Sequence, residues 1–136
     1  MEPRVLVYTD GGSRGNPGQA AIGILLYKQD GTLLKNHGEY IGTTTNNQAE
    51  YAAMLRGLKL AAGFTMSEVA CHSDSQLMVN QLSGSYKVKN PGLMDALKKV
   101  KQAEKAFSQV TYTHLPRTDP RIRLADSLVN RVLDSR

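Results

Sequence analysis

A single cysteine, Cys71, means that no internal disulfide can brace this 136-residue chain. Its place in the apolar-leaning run EVACHS predicts a buried small side chain rather than a redox centre. The chain also has no long apolar run: stretches such as AAIGILLY fall far short of the roughly 20 residues that a spanning helix needs. The N-terminus, MEPRVLVY, has no basic region followed by a long apolar stretch, so no leader is read there and a cytoplasmic location is expected. Low-complexity tracts and internal repeats are missing as well. Acidic residues are in the minority, with Lys and Arg outnumbering Asp and Glu by 17 to 12. That excess allows polyanion binding, although it serves solubility equally well. What remains is an ordinary globular composition, 40% hydrophobic and 21% charged, in a chain sized for one domain around one core.

The apolar pattern predicts one mixed sheet with helices packed against it. Residues 4–9 (RVLVYT) are β-branched and aromatic and read as a first strand that ends at Asp10 and a glycine-rich turn. Strands over 20–28 and 32–41, joined by the turn signal Gln29-Asp30-Gly31, complete an antiparallel meander. From 47 to 62 the period becomes helical through Tyr51, Leu55, Leu58 and Ala62, with Gly63 as the stop signal. A strand over 68–73 leads to Asp74 and a short helix over 75–82 that Gly84 ends. Asn90-Pro91 opens a basic helix over 92–107, and a strand over 109–115 follows. A loop rich in Pro and Arg, 116–123, then leads to a last helix beginning near Arg123.

Four carboxylates fall at the starts or ends of these elements. Asp10 and Asp74 follow strands, while Glu50 and Asp126 are placed in the first turns of helices. Taken singly, each is explained by capping and the helix dipole. In an open mixed sheet, however, strand carboxyl ends and helix N-termini share one crevice, where all four can converge. Like charges brought together raise one another's pKa values and repel, and a hard divalent cation removes that cost. Two such ions roughly 3.5–4 Å apart stabilise both the attacking and the leaving oxygen of an in-line phosphoryl displacement. A basic chain with this cluster is a candidate phosphodiesterase.

The segments TDGGSRGNPG, NNQAEYAAMLRGLKLA, HSDSQLMVNQL and RLADSLVN, in this order and spacing, resemble the ribonuclease H family, type 1, over essentially the whole chain. The resemblance implies an α/β fold, a five-stranded mixed sheet flanked by helices. It also implies endonucleolytic hydrolysis of the RNA strand of RNA–DNA hybrids to 5′-phosphate and 3′-hydroxyl ends, with magnesium or manganese required. The family's metal-binding catalytic acids map onto Asp10, Glu50, Asp74 and Asp126, which would hold two ions in the substrate complex. Its minor-groove contacts map onto Ser13, Asn16, Asn46, Asn47 and Gln76, neutral groups suited to the 2′-hydroxyls that distinguish RNA from DNA. The expected protein is a monomeric catalytic domain spanning 1–136, without a separate hybrid-binding domain and without a membrane partner.

Three departures from the family pattern stand out. Many relatives carry a histidine in the loop before the last acid, proposed for proton transfer or product release; here 116–123 has none, and Arg117 is the nearest candidate. Asp119 in the same loop rivals Asp126 as fourth ligand, although the helical context LADSLVN favours Asp126. His37, His72 and His114 belong to strands and receive no role. Finally, a basic insertion that helps some relatives grip the hybrid is absent, with only SYKVKN between two helices. Lys98, Lys99, Lys101 and Lys105 could neutralise phosphates in its place, or simply form a solvated face. Two other readings stay open: a catalytically weak recognition module of the same fold, and a nuclease that also cuts double-stranded RNA.

Overall fold

Alternation along the first strand sends Val5 and Val7 to one face of a sheet and Leu6 and Tyr8 to the other, the two-residue period of a strand covered on both sides. In the computed structural model, which describes residues 1–136, this strand is β1 (Arg4–Gly15). It is followed by β2 (Gly18–Lys28), β3 (Leu33–Thr44), α1 (Asn46–Ala61), β4 (Glu68–Ser73), α2 (Gln76–Leu82), α3 (Pro91–Glu104), β5 (Gln109–His114) and α4 (Pro120–Asp134). The sheet order is β3-β2-β1-β4-β5. β1, β2 and β3 form the antiparallel meander, while β4 lies parallel to β1 and β5 parallel to β4. This is the five-stranded mixed sheet that the sequence predicts.

Helices cover both faces. Tyr51, Met54 and Leu58 of α1, Met78 and Leu82 of α2, and Val100 of α3 pack with Val5, Val7, Ile22 and Ile24 into the main core. Each fully buried aliphatic side chain there contributes roughly 1.5–3 kcal/mol. On the opposite face α4 sets Ile122 and Ala125 against Tyr8, Leu25 and Tyr27, and Val129 and Leu133 against Ala21. Two glycines let helix backbones settle directly on strands. A Cβ at Gly11 would lie 2.2 Å from the Ala49 carbonyl oxygen of α1, and one at Gly23 would lie 2.2 Å from the Ala125 carbonyl oxygen of α4. These contacts bring Glu50 and Asp126, the next residues on each helix, toward β1. No helix is long and apolar enough to cross a membrane.

Several boundaries differ from those read in the sequence. β1 does not stop at Thr9 but runs on to Gly15, because β2 keeps pairing with it, Asp10 opposite Gly23. Asp10 is therefore within a strand rather than at its end. The parallel ladder with β4 does end nearby, at Tyr8 and His72, so Asp10 still lies just beyond the carboxyl edge of the parallel pair. Glu50 and Asp126 occupy second rather than first helical turns. α1 begins at Asn46 under a Thr45 cap, and α4 begins at Pro120 under an Asp119 cap, earlier than Arg123. β3 extends to Thr44, β5 ends at His114, and α3 stops at Glu104 rather than Phe107. α1 closes at Ala61 with a right-handed cap at Ala62, so Gly63 is not its left-handed stop; Gly84, at φ 85°, does take that role after α2.

Candidate active site

The carboxyl edge of the β1–β4 pair, the second turn of α1 and the second turn of α4 meet at one pocket of about 370 Å³ without a hydrophobic wall residue. Asp10, Glu50, Asp74 and Asp126 all line it, together with Gly11, Gly12, Asn46, Ser75 and Arg117. Ligand oxygens of Asp10, Glu50 and Asp74 lie within 4.8 Å of one another. Asp126 stands outside that tight set and is exposed, yet it is near enough to add to the cost of ionising Asp10. The structure thus gathers four acids that are scattered over the sequence, three close together and one at the rim.

Their environment opposes negative charge. Burial, reinforced by Glu50, Asp74 and Asp126, pushes the Asp10 carboxyl up to about 9. Burial and then Asp74 push Glu50 up to about 8, against the opposing pull of the Gly11 N–H and Arg117. The Gly11 N–H donates to Glu50 Oε1 at 2.9 Å, a buried bond that fixes one oxygen of that carboxylate. Arg117 brings Nε to 3.6 Å from Asp74 Oδ2 while its side chain remains 91% exposed, so this pair is weakly held. A group of hard oxygen donors that repel one another when ionised fits a divalent cation, and these residues meet that test.

Asp119 does not join the cluster. Its Oδ1 accepts from the N–H groups of Arg121 and Ile122, which occupies it as the cap of α4. Among the proposed substrate contacts, Asn46 Oδ1 accepts from the Ser13 N–H at 3.3 Å, and Asn16 Oδ1 accepts from the Asn46 N–H at 3.0 Å. These bonds tie the β1–β2 turn to the start of α1. The Ser13 hydroxyl is buried without a partner. Asn16 and Asn47 line a neighbouring polar groove with Thr45, Gln48 and Asn90. Gln76 is exposed at the first residue of α2.

Other polar groups are occupied structurally. His72 pairs Nδ1 with the Val7 carbonyl and stacks on Tyr8 at 4.3 Å, His37 pairs with Glu39, and His114 is exposed at the end of β5. Cys71 is buried, and burial raises its thiol pKa. Of the α3 lysines, Lys101 donates to the Leu82 carbonyl and pairs with Glu104, while Lys99 pairs with Asp95. Sequence reasoning missed three contributors to the site: the Gly11 N–H, Ser75, and Asn130, whose Nδ2 donates to Asp126 Oδ2 at 3.2 Å. Spacing four residues apart on one helix could have found Asn130; nothing in a glycine's letter reveals where its N–H points.

Known proteins decide the kinship. The profile of the reverse transcriptase-like family matches residues 8–132. A ribonuclease HI of Halobacterium salinarum is 41% identical over 132 residues, covering 96% of this chain and 65% of that protein. The chain belongs to the ribonuclease H family, type 1. The crystal structure of RNase H1 from Halobacterium salinarum superposes on this ribonuclease H fold with a TM-score of 0.93 at 39% identity, covering 98% of this chain and 99% of the other. A structure of LC11-RNase H1 in complex with RNA/DNA hybrid matches with a TM-score of 0.88 at 38% identity, covering 96% and 97%. The chain spans less than two thirds of its Halobacterium relative, and 36% of a Mycobacterium tuberculosis bifunctional protein to which it is 38% identical.

Proposed function

We propose that this ribonuclease H domain is a metal-dependent endonuclease that hydrolyses the RNA strand of RNA–DNA hybrids to 5′-phosphate and 3′-hydroxyl products. The observation that carries the reading is the convergence of Asp10, Glu50 and Asp74, with ligand oxygens within 4.8 Å, beside Asp126 in one open polar pocket. The hybrid bound by LC11-RNase H1, a relative of the same fold, supports the choice of substrate. One chain supplies every acid, which favours a monomer, and the 136 residues act as one catalytic domain. A cytoplasmic location suits a nucleic-acid substrate.

Asp10, Glu50, Asp74 and Asp126 would hold two magnesium or manganese ions. When bound, such ions supply a water of lowered pKa and stabilise charge on the attacking and leaving oxygens. The protein's own groups set the geometry. The Gly11 N–H holds Glu50, Asn130 holds Asp126, and Arg117 stands beside Asp74, where its fixed positive charge assists product release. Asn16, Asn46, Asn47 and Gln76 contact the minor groove, where neutral donors and acceptors read 2′-hydroxyls rather than bases, while Ser13, its hydroxyl buried, supports them by donating its N–H to Asn46.

The test is cleavage of matched RNA–DNA, RNA–RNA and DNA–DNA duplexes, labelled on each strand, with magnesium, manganese or chelator. Metal-dependent cutting of the hybrid's RNA strand, lost in Asp10→Asn, is the expected result. Cutting of RNA–RNA at a comparable rate would widen the substrate class to double-stranded RNA. Binding without cutting under every metal would leave a recognition module.

A further inference from the structure

Beside the acid pocket, a second and larger hollow of about 840 Å³ runs along the outer face of α4, and its wall contains no hydrophobic residue. The two share Arg117 and Asp126, so the hollow opens from the catalytic pocket rather than standing apart from it. Along its length lie Arg123 and Arg131, both exposed and neither in an ion pair. Its two acids are otherwise engaged. Asp134 accepts from Arg14 at 2.6 Å, and Asp126 belongs to the acid set with Asn130 bonded to it. The hollow therefore presents uncompensated guanidinium groups to solvent, the geometry suited to phosphate oxygens.

We infer that this hollow is a track for the phosphates of the strand being cut, on one side of the scissile position. Such a track rests on the function proposed above and adds a site to it. Any strand that places a phosphate among the four acids must leave the pocket in both directions, and one exit passes Asp126 and Arg117 into the arginine-lined hollow. Arg123 and Arg131 are eight residues apart on α4, which at 1.5 Å per residue separates them by about 12 Å along the axis. A strand carrying one charge per roughly 3.4 Å of helix axis places about three phosphates in that span. The cut strand is RNA, so the track holds RNA-strand backbone without reading bases.

The experiment measures hybrid binding by fluorescence anisotropy in chelator, with cleavage in magnesium run alongside. The Arg123→Gln/Arg131→Gln double variant removes two exposed cations, and thermal unfolding verifies that its fold is kept. The expected result is an affinity loss of at least about tenfold at 0.1 M salt, with the slope of log affinity against log salt shallower by about 2. Neutral methylphosphonates placed in the RNA strand on one side of the cut should weaken wild-type binding and cost the double variant little more, the non-additivity of groups in direct contact. An unchanged salt slope overturns the track, as does a methylphosphonate penalty equal in both proteins or confined to the DNA strand. If the wild type binds but never cleaves hybrid with any metal, the catalytic reading fails while the anisotropy comparison still decides the track.

Discussion

Asp10→Asn should stabilise the protein without metal, and the gain should grow with pH. Asp10 rises from 3.8 to about 9 in the folded state and Glu50 from 4.5 to about 8. Between about pH 4 and pH 9 the native chain therefore holds protons that the unfolded chain has released, so stability is full on the acid side and falls as pH rises through that window. At pH 7 the Asp10 gap is about 3 units from its unfolded value of 3.8, which at about 1.4 kcal/mol per unit gives a ceiling near 4 kcal/mol. The repulsion is shared with Glu50 and Asp74, so the expected gain is about 2–4 kcal/mol at pH 7 and close to zero at pH 4. Urea unfolding of both proteins in chelator at pH 4, 6 and 8 measures it. Divalent metal at about 1,000 times its Kd should cancel or reverse the difference, since it adds about 4.1 kcal/mol to the protein that binds it. A difference that does not change between pH 4 and pH 8, or a less stable variant at pH 8, would refute buried repulsion at the acid cluster.

Gly11→Ala should cost about 3 kcal/mol or more and abolish cleavage, because the new Cβ meets the Ala49 carbonyl oxygen at 2.2 Å and must push α1 and Glu50 away; urea unfolding and hybrid cleavage check both halves. Asn130→Ala leaves the Asp126 carboxylate without its 3.2 Å donor, so kcat should fall several-fold, Asn130→Gln should rescue little, and thermal stability should change by less than about 1 kcal/mol. Arg117→Ala should slow turnover without abolishing it, since the side chain is 91% exposed and only one ion pair at 3.6 Å is lost; steady-state rates equal to wild type would remove it from the mechanism.

The acids were legible because each sits in a local pattern: Asp10 before two glycines, Asp74 after an apolar strand, Glu50 and Asp126 on periodic helices. Helix starts were less so. Pro120 read as part of a loop, yet proline suits the first helical position and Asp119 caps it, which shifted α4 forward and placed Asp126 in a second turn. The continuation of β1 through Asp10 to Gly15 was hidden for a different reason. Glycines and polar residues carry no strand signal of their own, and only β2, pairing residue by residue across them, keeps that segment extended.

Sequence by itself determined the meander followed by alternating helices and strands, the apolar faces that bury the core, and which four carboxylates were available, because these depend on local periodicity and residue chemistry. The tertiary structure decided the rest. Whether Asp10, Glu50 and Asp74 stand within 4.8 Å, why Asp119 is spent on a cap while Asp126 reaches the rim, and how an arginine-lined hollow opens from the same pocket all depend on packing two helices onto one sheet. Those distances arise between residues far apart in the chain, and close approach at Gly11 and Gly23 sets them.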